Sequence, residues 1–443
     1  MTIWINNPFD FLPGEGARLQ RYGLLAQALV KAGHQVVWWS SDWNHIKKAK
    51  REEKCANADE SGKVVGKQSG SGDVRECGNA GETPRQGEAD PRRECANGGE
   101  GGVEIRLIET MPYYKNIGLR RLLSHWLYAR SWEREARNEH EKPDLIICSA
   151  PPLSTGWVMR SLCKRLGCVG VIDVMDVWPE TFERVVPAWM LWPLRWMAKR
   201  VYEGADGVSA VGDSYLEVVK RYLGATTKPM YRCYHGIEMG GESRGERSLA
   251  CAEVPLRLVY VGNMGKGYDL VTLVRVVKEM IEEGHAVSLD LAGRGEQEEI
   301  LKTLAESKQD TIRFHGVVTG DALRALLSNA DVGMVPMFAK TYVAVPYKLA
   351  DYAAAGLPVI SSLKGETEDL IKRYDAGWFY DAGDCSSLRN ALLAALQSMK
   401  ATENGIRQYG MNSKRMAEEN FDAEKIYPDF VRWLEIQFKT RYL

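Results

Sequence analysis

The sequence predicts an α/β protein whose two halves are each built on a parallel sheet. Three observations carry this expectation. Short apolar strands alternate with segments of helical spacing in both halves, the pattern that builds strand-helix-strand units and parallel sheets. Several strands run into Gly-containing turns, and open parallel sheets bind their ligands at that edge. A length of 443 residues suffices for two or three domains, each burying its own core.

Composition narrows the function classes. Lys and Arg number 58 against 59 Asp and Glu, a net charge of -1, which argues against general nucleic-acid binding and makes any basic surface local. Nine cysteines at irregular spacing form no C-x-x-C pair, so neither a disulfide framework nor a metal centre is expected. No basic and apolar leader precedes the first strand, and no apolar run approaches the roughly 20 residues of a membrane span, so the expected location is cytoplasmic.

Residues 1–6 read as an apolar strand. A loop with Gly14, Glu15, Gly16, Arg18 and Arg21 leads into helical spacing of Leu24, Leu25, Ala28 and Leu29 over 17–32, and Gly33 precedes a strand over 35–40. The Gly14-x-Gly16 pair does not complete a dinucleotide fingerprint, and turns use Gly for steric reasons alone. Residues 47–102 are polar, Gly-rich and nearly free of aromatics, with an imperfect repeat at Cys55, Cys77 and Cys95. Such a composition does not repay the entropy of ordering, so a disordered insertion without chemistry is expected before a strand over 103–108.

Two stretches, 118–139 and 188–202, set Trp126, Trp189, Trp192 and Trp196 among arginines and lysines at helical spacing. Tryptophan with basic residues suits the interface of an anionic membrane, and equally two core helices with solvated basic edges; the pattern leaves both open. Between them, strands over 144–148 and 170–175 end in Ser149-Ala150-Pro151-Pro152 and Asp176-Val177-Trp178-Pro179-Glu180. A carboxylate just past a parallel strand is either a site residue or a turn cap.

The second half opens with a strand over 256–261 and the turn Gly262-Asn263-Met264-Gly265-Lys266-Gly267, whose backbone amides and lysine suit phosphate, although it lacks the spacing of a Walker loop. A strand over 287–292 ends in Gly293-Arg294-Gly295, and strands over 312–316 and 332–336 follow. The most informative run is V-P-Y-K-L-A-D-Y-A-A-A-G-L-P-V-I, residues 345–360. Pro346 precedes a helix that starts at Tyr347 and stops at Gly356, and Lys348 and Asp351, three apart, share one face beside the free amides of the helix start. That arrangement suits a phosphorylated, hydroxyl-rich ligand: phosphate on Lys348 and the amides, a diol on Asp351.

These motifs, in this order, resemble the bacterial polysaccharide-type subset of glycosyltransferase family 4. The 345–360 run is similar to P-S-K-x-x-E-Y-x-A-A-G-x-P-V-I, with Lys348 on the Lys, Asp351 on the second Glu of the E-x7-E pair and Gly356 on the Gly. Ser149, Pro151, Pro152 and Leu153 match S-x-P-P-L; Asp176, Trp178, Pro179 and Glu180 match D-x-W-P-E. Tyr260, Gly262, Lys266 and Gly267 match Y-x-G-x-x-x-K-G, Gly293 and Gly295 the G-x-G near the nucleotide, and Arg21, Gly33, His34 and Val36 the Arg-led helix followed by G-H-x-V. Three positions depart: Val343 replaces the first Glu of the pair, Tyr347 a small residue, and His235 the Asn of P-N-G-[VI]-[DE].

The resemblance implies a GT-B protein, two Rossmann-like domains facing a cleft: an acceptor-side domain over 1–245 interrupted by 47–102, a nucleotide-sugar domain over 255–420, and a C-terminal helix over 421–443 packing back on the first. It implies a retaining, metal-independent glycosyltransferase with no cofactor, fitting the absence of any D-x-D in the sequence. The donor is a nucleoside-diphosphate sugar and the acceptor a glycan or polyprenyl-linked hydroxyl, met at the inner face of the membrane. Gly14, Gly16, Arg21, Gly262, Asn263, Lys266, Gly293, Gly295, Lys348 and Asp351 are the expected donor-binding residues, and Asp176 the catalytic one. A nucleotide-sugar 2-epimerase of the same fold, or a scaffold that binds nucleotide without catalysis, are the alternatives.

Overall fold

The computed structural model describes residues 1–15, 18–51, 93–95, 102–114, 118–184, 186–239, 255–338, 341–400 and 405–438. Two compact units emerge, Met1–Ile147 with Ser161–Cys168, and Cys148–Arg160 with Val169–Leu443.

In the first unit, Thr2–Asn6, Gln35–Ser41 and Val103–Ile108 pair in parallel, in register at Thr2 with Gln35 and Val36 with Val103. Ile3, Trp4, Ile5, Trp38 and Trp39 are buried along the first two, so those strands read as apolar runs, whereas Val103–Ile108 alternates through Glu104 and Arg106. The connecting helix is Arg21–Lys31, shorter than the spacing over 17–32 suggests. Gln20 is extended, and the Asp10 carboxylate accepts the Tyr22 amide at 3.1 Å, which anchors the helix start to the preceding loop.

Most of the expected insertion, 52–92 and 96–101, lies outside the described residues. At its described edges, Ala49–Lys50 pairs with Trp43–Asn44, Arg51 is buried against Glu15 at 2.5 Å, and Arg93–Cys95 runs antiparallel to Val103–Ile108. Helix Leu119–Arg137 buries Tyr128, Ala129 and Trp132 but leaves Leu119, Leu122, Leu123, Trp126 and Leu127 exposed.

In the second unit, Val169–Val174, Gly207–Ala210 and Met230–Arg232 pair in parallel. A six-stranded parallel sheet follows in the order Ile312–Gly316, Val287–Ala292, Leu256–Val261, Val332–Val335, Val359–Ser361, Gly377–Phe379. Counted from its first strand this is 3-2-1-4-5-6, the Rossmann order, which reverses direction between Leu256–Val261 and Val332–Val335. Helix Leu270–Glu282 seals one face with Leu270, Leu273, Val274, Val277 and Met280, all fully buried.

The C-terminal helix Ala423–Phe438 packs against the 207–237 segment: Tyr231 stacks on Phe430 and Trp433, and the Gly236 amide donates to the Tyr427 hydroxyl at 3.0 Å. The 188–202 stretch is a 3-10 turn, Ala188–Leu191, followed by helix Trp192–Gly204. Trp189 is 77% exposed and Trp192 68%, so their indoles belong to the surface and not to a core.

Candidate functional site

Beside the reversal point of the six-stranded sheet, the Gly turns after Leu256–Val261 and Val287–Ala292 meet. Gly262 and Gly293 follow adjacent strands and hold φ values of 140° and 139°, where a side chain is strained. A Cβ on Gly293 would sit 1.8 Å from the Gly262 carbonyl oxygen, and one on Gly295 would sit 2.5 Å from the Met264 carbonyl carbon. Only glycine allows these backbones to touch. The contact is then hydrogen-bonded: the Gly262 amide to Ala292, the Met264 amide to Arg294, and the Gln297 side-chain amide to the carbonyls of Gly265 and Tyr268.

Lys348 reaches this turn from the second position of helix Tyr347–Ala354, which begins after an extended Pro346. Its ammonium lies 4.0 Å from the centre of the Tyr260 ring and 4.3 Å from that of Tyr268, and has no hydrogen-bonding partner although the residue is only 8% exposed. A Cβ on Gly262 would come within 3.0 Å of Nζ, so the glycine also clears space beside the charge. Burial pushes the Lys348 ammonium down to about 7, an effect that the Asp351 carboxylate partly opposes. The two ring faces attract the cation but supply no hydrogen-bond acceptor along its N–H bonds. A buried ammonium in this condition is destabilised until an anion arrives. Tyr352 fixes the helix to the sheet, its hydroxyl accepting the Val261 amide at 2.8 Å.

The expected site residues separate into groups. Gly262, Gly293, Gly295 and Lys348 come together here, with Asn263 exposed on the same turn and Asp351 half-buried one helical turn from Lys348. Lys266 also lies on the turn, but it is exposed and pairs with Glu296 at 3.7 Å. Gly14 and Arg21 belong to the first unit: Gly14 is an exposed turn residue with φ 84°, and Arg21 is wholly buried at the head of its helix. Gly16 lies outside the described residues.

Asp176 follows strand Val169–Val174 and acts as a turn former, one carboxylate oxygen accepting the Trp178 indole at 3.1 Å and the other the Thr181 hydroxyl at 2.8 Å. Tyr260 and Tyr268 were not singled out from the sequence, although Tyr260 opens the turn motif. His235 and Tyr347, two of the three departures from the family pattern, stack on each other with ring centroids 3.8 Å apart. One replacement fills the space beside the other.

The strand order and paired Gly turns define a class, and known proteins agree with it. The fold is GT-B, that of glycosyltransferases with two Rossmann-like sheets. Residues 255–398, which contain the whole Lys348 cluster, match the family model described as Glycosyl transferases group 1. The chain is 26% identical over 156 residues to WcaL of Escherichia coli (strain K12), a glycosyltransferase ascribed to colanic acid biosynthesis; the match takes in 34% of this chain and only 38% of that relative's length. Among solved structures it is similar in fold to sucrose-phosphate synthase from Thermosynechococcus elongatus, with a TM-score of 0.67 at 15% identity over 99% of this chain and 100% of that one. It is similar as well to Anabaena Alr3699/HepE in complex with UDP-glucose, with a TM-score of 0.61 at 11% identity over 98% and 100% of the two chains.

Proposed function

We propose that this protein is a glycosyltransferase that moves a sugar from a nucleoside-diphosphate sugar to an acceptor hydroxyl, in the assembly of a cell-surface polysaccharide or lipid-linked glycan. The observation that carries the reading is the buried, unpartnered Lys348 ammonium beside the paired Gly turns, within the segment that matches the glycosyltransferase family. As the bond from sugar to diphosphate breaks, negative charge grows on the leaving phosphates. Lys348 and the head of helix Tyr347–Ala354 stabilise it in a site already organised for it. Lys266 adds a second, exposed charge, and Asp351 accepts hydrogen bonds from ligand hydroxyls.

Transfer proceeds with retention of anomeric configuration and without metal or cofactor, the cations taking the part a divalent ion plays elsewhere. Asp176 orients the acceptor. The protein works at the cytoplasmic face of an anionic membrane, with Trp189 and Trp192 as contacts; no helix among the described residues is long and apolar enough to cross a bilayer.

The test is a thermal-shift screen of nucleotide sugars followed by assay of the binders on polyprenyl-linked acceptors. The expected result is an acceptor heavier by one glycosyl unit, with donor anomeric configuration preserved by NMR. Nucleotide binding without transfer or donor hydrolysis across the panel would overturn the reaction.

A further inference from the structure

A second group of basic side chains lies in the first unit, at the edge where its parallel strands end, and the reading above gives it no role. Phe9 follows strand Thr2–Asn6, His45 and Lys48 follow Gln35–Ser41, and Tyr113 follows Val103–Ile108. Arg121 and His125 lie in the first two turns of helix Leu119–Arg137. Four rings close a cycle: Phe9 to His45 at 5.2 Å, His45 to Tyr113 at 5.7 Å, Tyr113 to His125 at 5.7 Å, and His125 back to Phe9 at 5.2 Å. The Arg121 guanidinium lies 5.8 Å from the Phe9 ring centre and 5.9 Å from that of Tyr113, with Nε 3.3 Å from His125 Nε2. Lys48 Nζ is 4.9 Å from the Tyr113 ring centre and 3.2 Å from His45 Nδ1, and the Tyr113 hydroxyl meets that same nitrogen at 2.7 Å.

Like charges are crowded together here. Burial first, then the Arg121 charge, pushes Lys48 down to about 8 and His45 down to about 3. The same helix places Leu119, Leu122, Leu123, Trp126 and Leu127 in solvent at i, i+3, i+4 and i+7 spacing, an apolar stripe that starts one turn from the cations.

We infer that this cluster binds the phosphoryl group of an alkyl or isoprenoid phosphate ester, whose hydrocarbon lies along the exposed stripe of helix Leu119–Arg137. An arginine fork and an ammonium at one strand edge supply the charge-assisted donors that phosphate oxygens take, while the buried Tyr113 phenol, bonded to His45, holds the ring cluster in place. The stripe supplies what a bare phosphate would leave unused. The inference rests on the transfer reaction for its biological sense and names the class of acceptor: a phospholipid-type carrier held by its phosphate while the donor occupies the other unit.

The test is calorimetry of the full chain with geranyl diphosphate, inorganic diphosphate and UDP. Geranyl diphosphate should bind at least about tenfold more tightly than inorganic diphosphate, and Arg121→Gln and Lys48→Gln should each weaken it about tenfold, the scale of one lost charge-assisted hydrogen bond. Lys48→Arg, which keeps the charge, should retain most of the binding, and UDP affinity should stay within twofold throughout. Unchanged geranyl diphosphate affinity in both Gln variants, or no binding by the wild type, overturns the site. Equal affinity for inorganic diphosphate overturns the hydrocarbon half. A chain that binds geranyl diphosphate through Arg121 but no nucleotide leaves this site standing and overturns the donor reading instead.

Discussion

Both units set a cation against tyrosine faces at the edge where parallel strands end, yet they do so by different means. Around Lys348 the charge is single and enclosed by the Tyr260 and Tyr268 rings, and what lies beside it is backbone: two Gly turns in contact and the head of a helix. Around Arg121 and Lys48 the charges are plural and half-open, and what surrounds them is side chains from four separate segments. The ammonium of Lys348 is depressed by burial against a weak opposing pull from Asp351, whereas that of Lys48 is depressed by burial and by Arg121 together. A backbone cradle needs one charge to be an anion site; a side-chain cluster needs several.

The sharpest way to break this contrast is Lys348→Ala. Binding of a nucleoside diphosphate should weaken by about 1.5–3 kcal/mol, roughly 10- to 150-fold, with geranyl diphosphate binding unchanged. Calorimetry showing equal loss for both ligands would merge the two sites into one.

A second measurement sharpens the electrostatics. The folded chain holds the Lys348 pKa near 7 while the unfolded chain keeps it near the ordinary 10.5, so between those values the unfolded state binds more protons. The free protein should therefore gain stability as pH rises through that window, and Lys348→Met should flatten the gain in denaturant midpoints taken at pH 7 and pH 9. Anion binding restores the charge, so nucleoside diphosphate should take up a fraction of a proton at pH 8, read from calorimetry in buffers of different ionisation enthalpy. Proton release, or none, would sink the assignment of the phosphates to Lys348.

The smallest expected effect is that of Lys266→Ala. This exposed lysine already faces Glu296, so its removal should cost about 1 kcal/mol or less in nucleotide affinity. A loss matching that of Lys348→Ala would mean that the side chain leaves Glu296 for the ligand. From the sequence the two lysines rank alike; burial separates them.

Much of the fold was legible in the chain. The strands Val103–Ile108, Leu256–Val261, Val287–Ala292 and Ile312–Gly316 fall at their predicted bounds, because each stops at glycine or a charged residue; Leu256–Val261 and Val287–Ala292 are in addition buried along most of their length. The Gly262, Gly293 and Lys348 motifs were legible for a related reason: each lies in one short segment whose spacing states its own geometry. Helix Arg21–Lys31 was read too long, since apolar spacing says nothing of the Asp10 contact that anchors its start. Asp176 was read as a site residue or a turn cap, and its contacts with Trp178 and Thr181 supply the turn.

By itself, then, the sequence determined which segments become parallel strands, where glycine frees the backbone, and which lysine heads the helix after Pro346. Only the tertiary structure decided that Tyr260 and Tyr268 enclose Lys348, that His235 and Tyr347 fill one another's space, and that Phe9, His45, Tyr113 and His125 close a ring beneath Arg121. The reason is physical: strand and turn propensities act over a few neighbouring residues, while charge burial and ring stacking are set by groups that the fold brings together from far along the chain.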